Sequence, residues 1–197
     1  MKTFCELKTL AKSQIRGGIC ILFAMHLIAL GITYLPCKNL FLGDILSSII
    51  SGCFSLGMAF VYLRIVRGDE ISIGDVFYGF QDLWTAIKAQ FFINLFLTLW
   101  CLLLLIPGII KAFSYSMTFF ILAENKGMSV LEAITLSRKM MDGHKMELFC
   151  LNLSFIGWDL LVVITFGLAG IWVFPYYFAT VANFYLSVKA DYEAKLG

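Results

Sequence analysis

Two stretches of the chain repeat one pattern and decide its fold. Residues 72–100 read SIGDVFYGFQDLWTAIKAQFFINLFLTLW, and residues 129–158 read SVLEAITLSRKMMDGHKMELFCLNLSFIGW. Each stretch opens on a serine, reaches a lysine sixteen residues later, and then meets an asparagine and a tryptophan in a long apolar run. Each therefore joins a short amphipathic segment to a candidate membrane-spanning helix. The repeat predicts a membrane protein built from duplicated helical units.

The composition agrees with a membrane protein. Hydrophobic residues make up 60% of the 197-residue chain and charged residues only 14%, against about 45–50% and about 25% in soluble domains. The net charge of +2 gives no support to a nucleic-acid partner. Membrane lipids are the expected surroundings of an all-α, polytopic fold, which we treat as a single membrane domain over residues 1–197.

Six apolar runs approach the roughly 20 residues that a helix needs to cross a bilayer. The predicted spans are Gly17–Leu35, Ile45–Ile65, Ala89–Ile106, Ile109–Ala123, Leu148–Phe166 and Ile171–Val188. Pro107 and Gly108 are predicted to end the third span and separate it from the fourth. Pro175 is a candidate helix break inside the sixth span.

The basic residues of the loops predict the orientation. Thirteen lysines and arginines fall on one side of the predicted spans, and only Lys38 and Lys111 fall on the other. Basic residues are enriched in cytoplasmic loops. The sequence therefore predicts a multi-pass protein of the plasma membrane with both termini in the cytoplasm.

The amphipathic segment of each copy is predicted to be a helix lying in the membrane interface. Apolar residues with helical spacing form a stripe in the first copy, at Ile73, Val76, Phe77, Phe80, Leu83, Trp84 and Ile87. The same offsets in the second copy select Val130, Ala133, Ile134, Ser137, Met140, Met141 and His144. Ser129 with Glu132 is a predicted capping box, and Ser72 with Asp75 is a looser version. The N-terminal segment is a candidate third copy, which would divide the chain into units 1–66, 72–124 and 129–189.

Polar residues inside the apolar runs are the candidate site. Ionisable groups are costly in hydrocarbon and often functional, and Asp159 and His26 lie inside predicted spans. Asn94 and Asn152 occupy equivalent positions of the two copies. These four residues fit a proton or cation relay or a polar ligand site between the repeats. Hydrogen bonds between helices are the alternative role.

Two further groups of residues suggest packing and lipid contact. Small residues recur every four positions in the second span, at Ser47, Ser51, Ser55 and Ala59, and predict close helix packing within the chain or with a second copy. Arg138, Lys139 and Lys145 are candidates for contact with lipid phosphates, with a solvated helix face as the alternative.

Catalytic motifs are absent from the sequence. It contains no His-Glu-x-x-His, Gly-x-Ser-x-Gly or P-loop pattern. The spacing of its two histidines, His26 and His144, fits no metal site, and its six cysteines include no Cys-x-x-Cys pair. We therefore expect no metal, no cofactor and no enzymatic activity.

Several motifs resemble those of a known family. They are Leu104–Met117 (LLIPGIIKAFSYSM), Ser137–Lys145 (SRKMMDGHK), Leu153–Trp158 (LSFIGW) and Pro175–Tyr177 (PYY). These motifs resemble the bacterial integral membrane family catalogued as domain of unknown function 975, and the resemblance extends over nearly the whole chain. It implies a six-span protein of the plasma membrane in Gram-positive-type bacteria, and it implies no activity.

Two functions fit these observations. The leading hypothesis is a non-enzymatic adaptor, regulator or assembly partner of another membrane complex, because the amphipathic helices would offer a broad cytoplasmic surface. The alternative is a small carrier or lipid-handling protein with a polar site at the repeat interface. The expected protein partner is another membrane protein or a second copy of the chain.

Overall fold

The computed structural model of the protein describes residues 3–15, 18–34, 41–103 and 105–195. Gly17, Leu35, Lys38 and Leu104, which enter the predictions above, lie outside these ranges. The described residues form helices and no strand. The helices are α1 (Phe4–Gln14), α2 (Ile19–Tyr34), α3 (Phe41–Arg67), a 3₁₀ helix (Ile73–Phe77), α4 (Tyr78–Gln81), α5 (Leu83–Leu103), α6 (Leu105–Tyr115), α7 (Thr118–Glu124), α8 (Val130–Met140), α9 (Lys145–Leu153), α10 (Ile156–Ile164) and α11 (Gly170–Ala194).

Three segments of the described residues are long and apolar enough to cross a membrane. They are Ile50–Arg67 in α3, Leu83–Leu102 in α5, and Lys145–Ile164, which runs through α9 and α10. In the α3 segment 61% of the residues are buried inside the protein, against 11% and 17% in the other two. The all-helical prediction is confirmed. The α3 segment is thus an inner helix, and the other two expose apolar surface that is compatible with a membrane location.

The other three predicted spans also coincide with helices, but none of them qualifies as a candidate span among the described residues. The predicted fourth span, Ile109–Ala123, is divided between α6 and α7 at Ser116 and Met117. The Ser116 hydroxyl donates a 2.8 Å hydrogen bond to the Phe113 carbonyl oxygen, three residues earlier. Hydrogen bonds from a serine hydroxyl to a carbonyl oxygen in the preceding turn compete with the backbone hydrogen bonds of a helix and bend it.

The single amphipathic helix predicted over residues 73–87 is wrong. The chain forms the 3₁₀ helix and α4, leaves helical geometry at Asp82 (φ −122°, ψ 60°), and only then starts α5. Gly79 packs so closely on α3 that a Cβ atom there would lie 1.9 Å from the Cys53 carbonyl oxygen. This close packing holds the segment against α3, and its glycines have low helix propensity.

The second predicted amphipathic segment forms α8, which ends at Met140, before the last two residues of the predicted stripe, Met141 and His144. Its buried residues are Val130, Ala133, Ile134, Ser137 and Met140, all of which belong to the predicted stripe. The stripe packs inside the protein, and the Ser137 hydroxyl donates a 2.8 Å hydrogen bond to the Ser114 carbonyl oxygen of α6. The apolar face of α8 is therefore covered by the protein itself.

Both predicted capping boxes are confirmed. In the Ser129 box and in the Ser72 box, the serine hydroxyl accepts from a backbone N–H, and the acidic side chain accepts from the serine N–H. A third capping box, formed by Thr3 and Glu6, starts α1. Each box satisfies backbone donors that a helix N-terminus leaves free.

We expect Ser129→Ala to lower the free energy of unfolding by about 1 kcal/mol, the usual cost of losing an N-cap hydroxyl. Thr135→Ala is the matched control on the same helix, because its exposed hydroxyl bonds only to the Leu131 carbonyl oxygen. The measurement is thermal unfolding of the full chain in a mild detergent. Equal unfolding temperatures for the two variants would contradict the prediction.

The predicted helix break at Pro107 and Gly108 lies close to a helix boundary. α5 ends at Leu103, and Pro107 and Gly108 belong to α6, which begins at Leu105. A Cβ atom at Gly108 would lie 2.5 Å from Cys101 Sγ, so Gly108 allows α6 to pack closely on α5. Pro175 lies inside α11, which continues to Ala194.

Candidate functional site

A cavity of about 610 Å³ lies among α2, α3, α6, α7, α9 and α11. We call it the central cavity. Its lining is mainly apolar and aromatic, with a few polar side chains, and no Asp, Glu, Lys or Arg belongs to it in the part of the chain that the structure describes. The lining residues are His26, Ala29, Ser51, Phe54, Ser55, Met58, Ala59, Tyr62, Ala112, Phe113, Ser116, Phe119, Phe120, Leu148, Asn152, Tyr177, Phe178 and Val181. Cavities of this size and character bind small molecules in many proteins.

His26 and Tyr62 supply polar atoms without partners at this cavity. The Nδ1–H of His26 donates a 2.9 Å hydrogen bond to the Leu22 carbonyl oxygen, which leaves Nε2 as an acceptor in the neutral ring. His26 Nε2 and the Tyr62 hydroxyl are both buried, and neither has a hydrogen-bond partner among the described residues. Buried polar atoms are usually paired, so these two are the outstanding hydrogen-bonding groups of the cavity wall.

Aromatic rings hold His26 in place. The ring centroid of Phe178 lies 5.0 Å from that of His26, and Phe174 stacks on the other side at 6.1 Å. Tyr62 stacks on Phe178 at 5.5 Å. Ring contacts at these distances are stabilising. The imidazole and the phenol are therefore fixed in one aromatic cluster that joins α2, α3 and α11.

A second polar position of the cavity lies on α9. Asn152 Oδ1 accepts a 3.1 Å hydrogen bond from the Tyr177 hydroxyl of α11. Ser51 and Ser55 bring two hydroxyl groups from α3 to the lining. The cavity thus has a few hydrogen-bonding groups on walls that are otherwise apolar.

The structure brings together only part of the predicted site. His26, Asn152, Ser51, Ser55 and Ala59 line the central cavity. Asp159 is exposed in the first turn of α10, and Asn94 is exposed on α5, where it bonds to Gln90 and Ser48. Asp159, Asn94 and Ser47 do not line the cavity.

Sequence reasoning missed Tyr62 although the signal was present. The spacing of Ser51, Ser55 and Ala59 continues to Tyr62 on one face of α3. The close packing predicted for this stripe occurs beside it, where a Cβ atom at Gly57 would lie 1.9 Å from the Val76 carbonyl oxygen. The glycines of α3 therefore allow the close approach of a neighbouring segment, and the serines face open space.

A polar cluster joins the ends of three helices. Glu124 at the end of α7 pairs with Arg67 of α3 and with Lys189 of α11, whose Nζ lies 2.7 Å from Glu124 Oε1. The Tyr185 hydroxyl donates a 2.5 Å hydrogen bond to Glu124 Oε2. Burial raises the pKa of Glu124, but the bonds from Lys189 and Tyr185 and the positive charges of Lys189 and Arg67 outweigh it and lower the pKa.

A second pocket, of about 440 Å³, contains the predicted lipid-contact residues. We call it the basic pocket, and its lining residues are Lys111, Ser114, Thr135, Arg138, Lys139, Asp142, Lys145 and Tyr192. The predicted orientation places Lys111 on the opposite side of the membrane from Arg138 and Lys145, whereas in the structure the three residues line one pocket.

Among the described residues, no group of three or more His, Cys, Asp and Glu side chains could hold a metal ion. His144 is instead paired with acids, since Glu147 Oε2 lies 3.1 Å from Nδ1 and Asp191 Oδ2 lies 3.1 Å from Nε2. Hydrogen bonds from Lys195 and His144 lower the pKa of Asp191. His144 therefore ties the start of α9 to the end of α11.

Comparison with known proteins gives one match. Residues 101–192 match the family described as protein of unknown function (DUF975). No curated protein and no solved structure matches the chain. The matched segment begins in α5, ends in α11 and includes the basic pocket together with the α6, α7, α9 and α11 walls of the central cavity. Residues 101–192 therefore match domain of unknown function 975, as the motifs at 104–117 and 137–145 predicted.

Proposed function

We propose that this chain is a lipid-handling protein of the bacterial plasma membrane, which binds a single-chain amphipathic molecule in the central cavity. The observation that carries the proposal is the cavity itself, about 610 Å³ of mainly apolar space between α2, α3, α6, α7, α9 and α11. Binding and release require no catalytic group. The protein is then a non-enzymatic, multi-pass membrane protein with both termini in the cytoplasm.

The lining indicates the chemistry of the ligand. Its aromatic and aliphatic side chains suit an alkyl or isoprenoid chain, and none of its described residues carries a charge that would neutralise an ionised group. His26 Nε2 and the Tyr62 hydroxyl offer an acceptor and a donor. A hydroxyl or carbonyl group on an apolar body is therefore the best fit.

The central cavity lies between the proposed repeat units. Three capping boxes, at Thr3, Ser72 and Ser129, each open a segment that leads into two apolar helical stretches. This order supports the division into units 1–66, 72–124 and 129–189, and all three units contribute side chains to the cavity. Ligand sites between repeats are common in membrane transporters.

The position of the charges supports the proposed orientation with both termini in the cytoplasm. Under that orientation Arg67, Glu124 and Lys189 all lie at cytoplasmic ends of helices, and the three form one cluster. Thirteen of the fifteen lysines and arginines fall on the cytoplasmic side of the predicted spans. Such an asymmetry is the usual determinant of topology.

The test is to fill the cavity. We expect Ser55→Phe to lower the occupancy of a co-purified lipid about tenfold or more, since overpacking costs about 1–3 kcal/mol. Thr98→Phe adds a similar ring on the exposed surface of α5 and is the matched control. Native mass spectrometry of the protein in native-lipid particles measures the retained mass. Equal retention by the wild type and both variants would refute cavity binding.

A second candidate function is an adaptor or assembly partner of another membrane protein. It is favoured by α10, which has no buried residue and exposes Leu160, Val163 and Ile164. A large apolar face without a covering helix is typical of a protein interface or of lipid contact. In the same mass spectra, a stoichiometric protein partner with an empty cavity would favour the adaptor over lipid handling.

A further inference from the structure

The basic pocket has an excess of positive charge. Lys111, Arg138, Lys139 and Lys145 line it together with a single carboxylate, that of Asp142. Lys145 Nζ lies 3.6 Å from Asp142 Oδ1. Lys111, Arg138 and Lys139 form no ion pair among the described residues. Three cations that converge on about 440 Å³ without a protein counter-ion repel one another, so an anion in the pocket relieves this repulsion.

The hydroxyl groups of the pocket contribute little recognition. Ser114 Oγ already donates to the Ile110 carbonyl oxygen at 3.0 Å, and Thr135 Oγ1 donates to the Leu131 carbonyl oxygen at 2.8 Å. Apart from the Tyr192 hydroxyl, the remaining donors of the pocket are the ammonium and guanidinium groups. Guanidinium and ammonium groups bind phosphate oxygens through charge-assisted hydrogen bonds. The N-terminus of α9, which begins at Lys145, adds the positive end of a helix dipole.

The surroundings of Lys111 point to a lipid as the source of that phosphate. Lys111 is half-buried on α6, and its neighbours Ile109 and Ile110 are exposed apolar side chains. Lys111 Nζ also lies 4.6 Å from the centre of the Trp100 ring of α5. An exposed apolar surface beside a cationic pocket matches the acyl chains and the headgroup of one molecule.

We propose that the basic pocket binds the phosphate group of an anionic phospholipid headgroup, with Lys111, Arg138, Lys139 and Lys145 as its counter-charges. This site is distinct from the central cavity and does not depend on the function proposed for it. The central cavity accepts an uncharged amphipathic molecule, whereas the basic pocket selects an anion at the boundary between apolar and polar surface.

The test uses the full chain in detergent, titrated with phosphatidylglycerol, with phosphatidylcholine or with inorganic phosphate. We expect phosphatidylglycerol to bind more tightly than phosphatidylcholine, and Arg138→Gln/Lys139→Gln to weaken it about 10- to 30-fold. Lys88→Gln/Lys126→Gln removes the same charge from exposed lysines outside the pocket and should leave the affinity unchanged. Native mass spectrometry gives the dissociation constants.

Four outcomes would overturn the proposal. Equal affinity for the two lipids would show that the headgroup charge is not recognised. If both double variants lose the same affinity for phosphatidylglycerol, the effect comes from the net charge of the protein and not from the basic pocket. Inorganic phosphate that binds as tightly as phosphatidylglycerol would identify a soluble phosphate as the ligand. Lys145→Gln provides an independent variant on α9, and an unchanged affinity for phosphatidylglycerol there would also count against the site.

Discussion

Gly57→Ala is expected to destabilise the fold by about 3 kcal/mol or more, at the upper end of the usual cost of overpacking. The added Cβ atom would lie 1.9 Å from the Val76 carbonyl oxygen and 2.8 Å from its carbonyl carbon. Both are backbone atoms, so no rotation of a side chain relieves the overlap. The segment that contains Val76 must move away from α3, and the fully buried Val76 side chain then loses its packing.

The measurement is the unfolding temperature of the full chain in detergent, together with the yield of monodisperse protein. Gly79→Ala should have a similar effect, because its Cβ atom would lie 1.9 Å from the Cys53 carbonyl oxygen. Gly157→Ala is the matched control, since no atom lies within 4 Å of its added Cβ. A Gly57→Ala protein as stable as the Gly157→Ala protein would disprove the close contact between α3 and the 3₁₀ helix.

Glu124→Gln is expected to lower the free energy of unfolding by about 2 kcal/mol. Removal of one partner from a buried ion pair costs about 3–5 kcal/mol, and Arg67 and Lys189 are partly exposed, which reduces the cost. The Glu124 side chain itself is only 13% exposed. Glutamine has nearly the size of glutamate, and its side-chain oxygen can still accept the hydrogen bond from the Tyr185 hydroxyl. The decrease in stability therefore measures the contribution of the negative charge. Thermal unfolding at neutral pH measures it.

The same carboxylate predicts how stability depends on pH. Because the folded-state pKa of Glu124 is lowered, the unfolded state binds more protons, and stability rises with pH in that range. The contribution is complete above the ordinary glutamate pKa of about 4.3 and is lost as the pH falls through the lower folded value. Glu124→Gln should therefore remove part of the acid-side decrease in stability.

Glu193→Gln is the control for both effects. Glu193 lies 3.8 Å from Lys189 Nζ, but its side chain is 63% exposed, and exposed pairs contribute little. If Glu193→Gln costs as much as Glu124→Gln, the cluster does not depend on the burial of Glu124. A Glu124→Gln protein with the acid profile of the wild type would contradict the direction of the pKa shift.

Long apolar runs were predicted well from sequence because they depend on local composition. The predicted second, third and fifth spans overlap the three segments that qualify as membrane-spanning. The α8 stripe was also predictable, since a helical period fixes which side chains share a face. Local signals sufficed at these positions because no tertiary contact opposes them.

Other predictions failed where a distant contact decides the local structure. The helix expected over residues 73–87 is interrupted because Gly79 packs on the backbone of Cys53, which no local pattern reveals. Sequence spacing alone cannot distinguish this case from an uninterrupted helix.

The candidate site was only half predictable. His26 and the serines of α3 were identified as polar or small residues in apolar runs, and the fold brings them to one cavity. Asp159 and Asn94 satisfied the same criterion and lie elsewhere. The difference lies in the direction in which each side chain leaves its helix, and this depends on packing between helices rather than on composition.

Two helices serve as walls of both pockets. On α6, Ala112 lines the central cavity and Lys111 lines the basic pocket. On α9, Leu148 lines the central cavity and Lys145 lines the basic pocket. A shift of either helix that favours an occupant of one pocket changes the affinity of the other, and thermodynamic linkage requires the same factor in both directions. The charge of the surrounding bilayer and the concentration of the cavity ligand would then both shift the same equilibrium between positions of these helices.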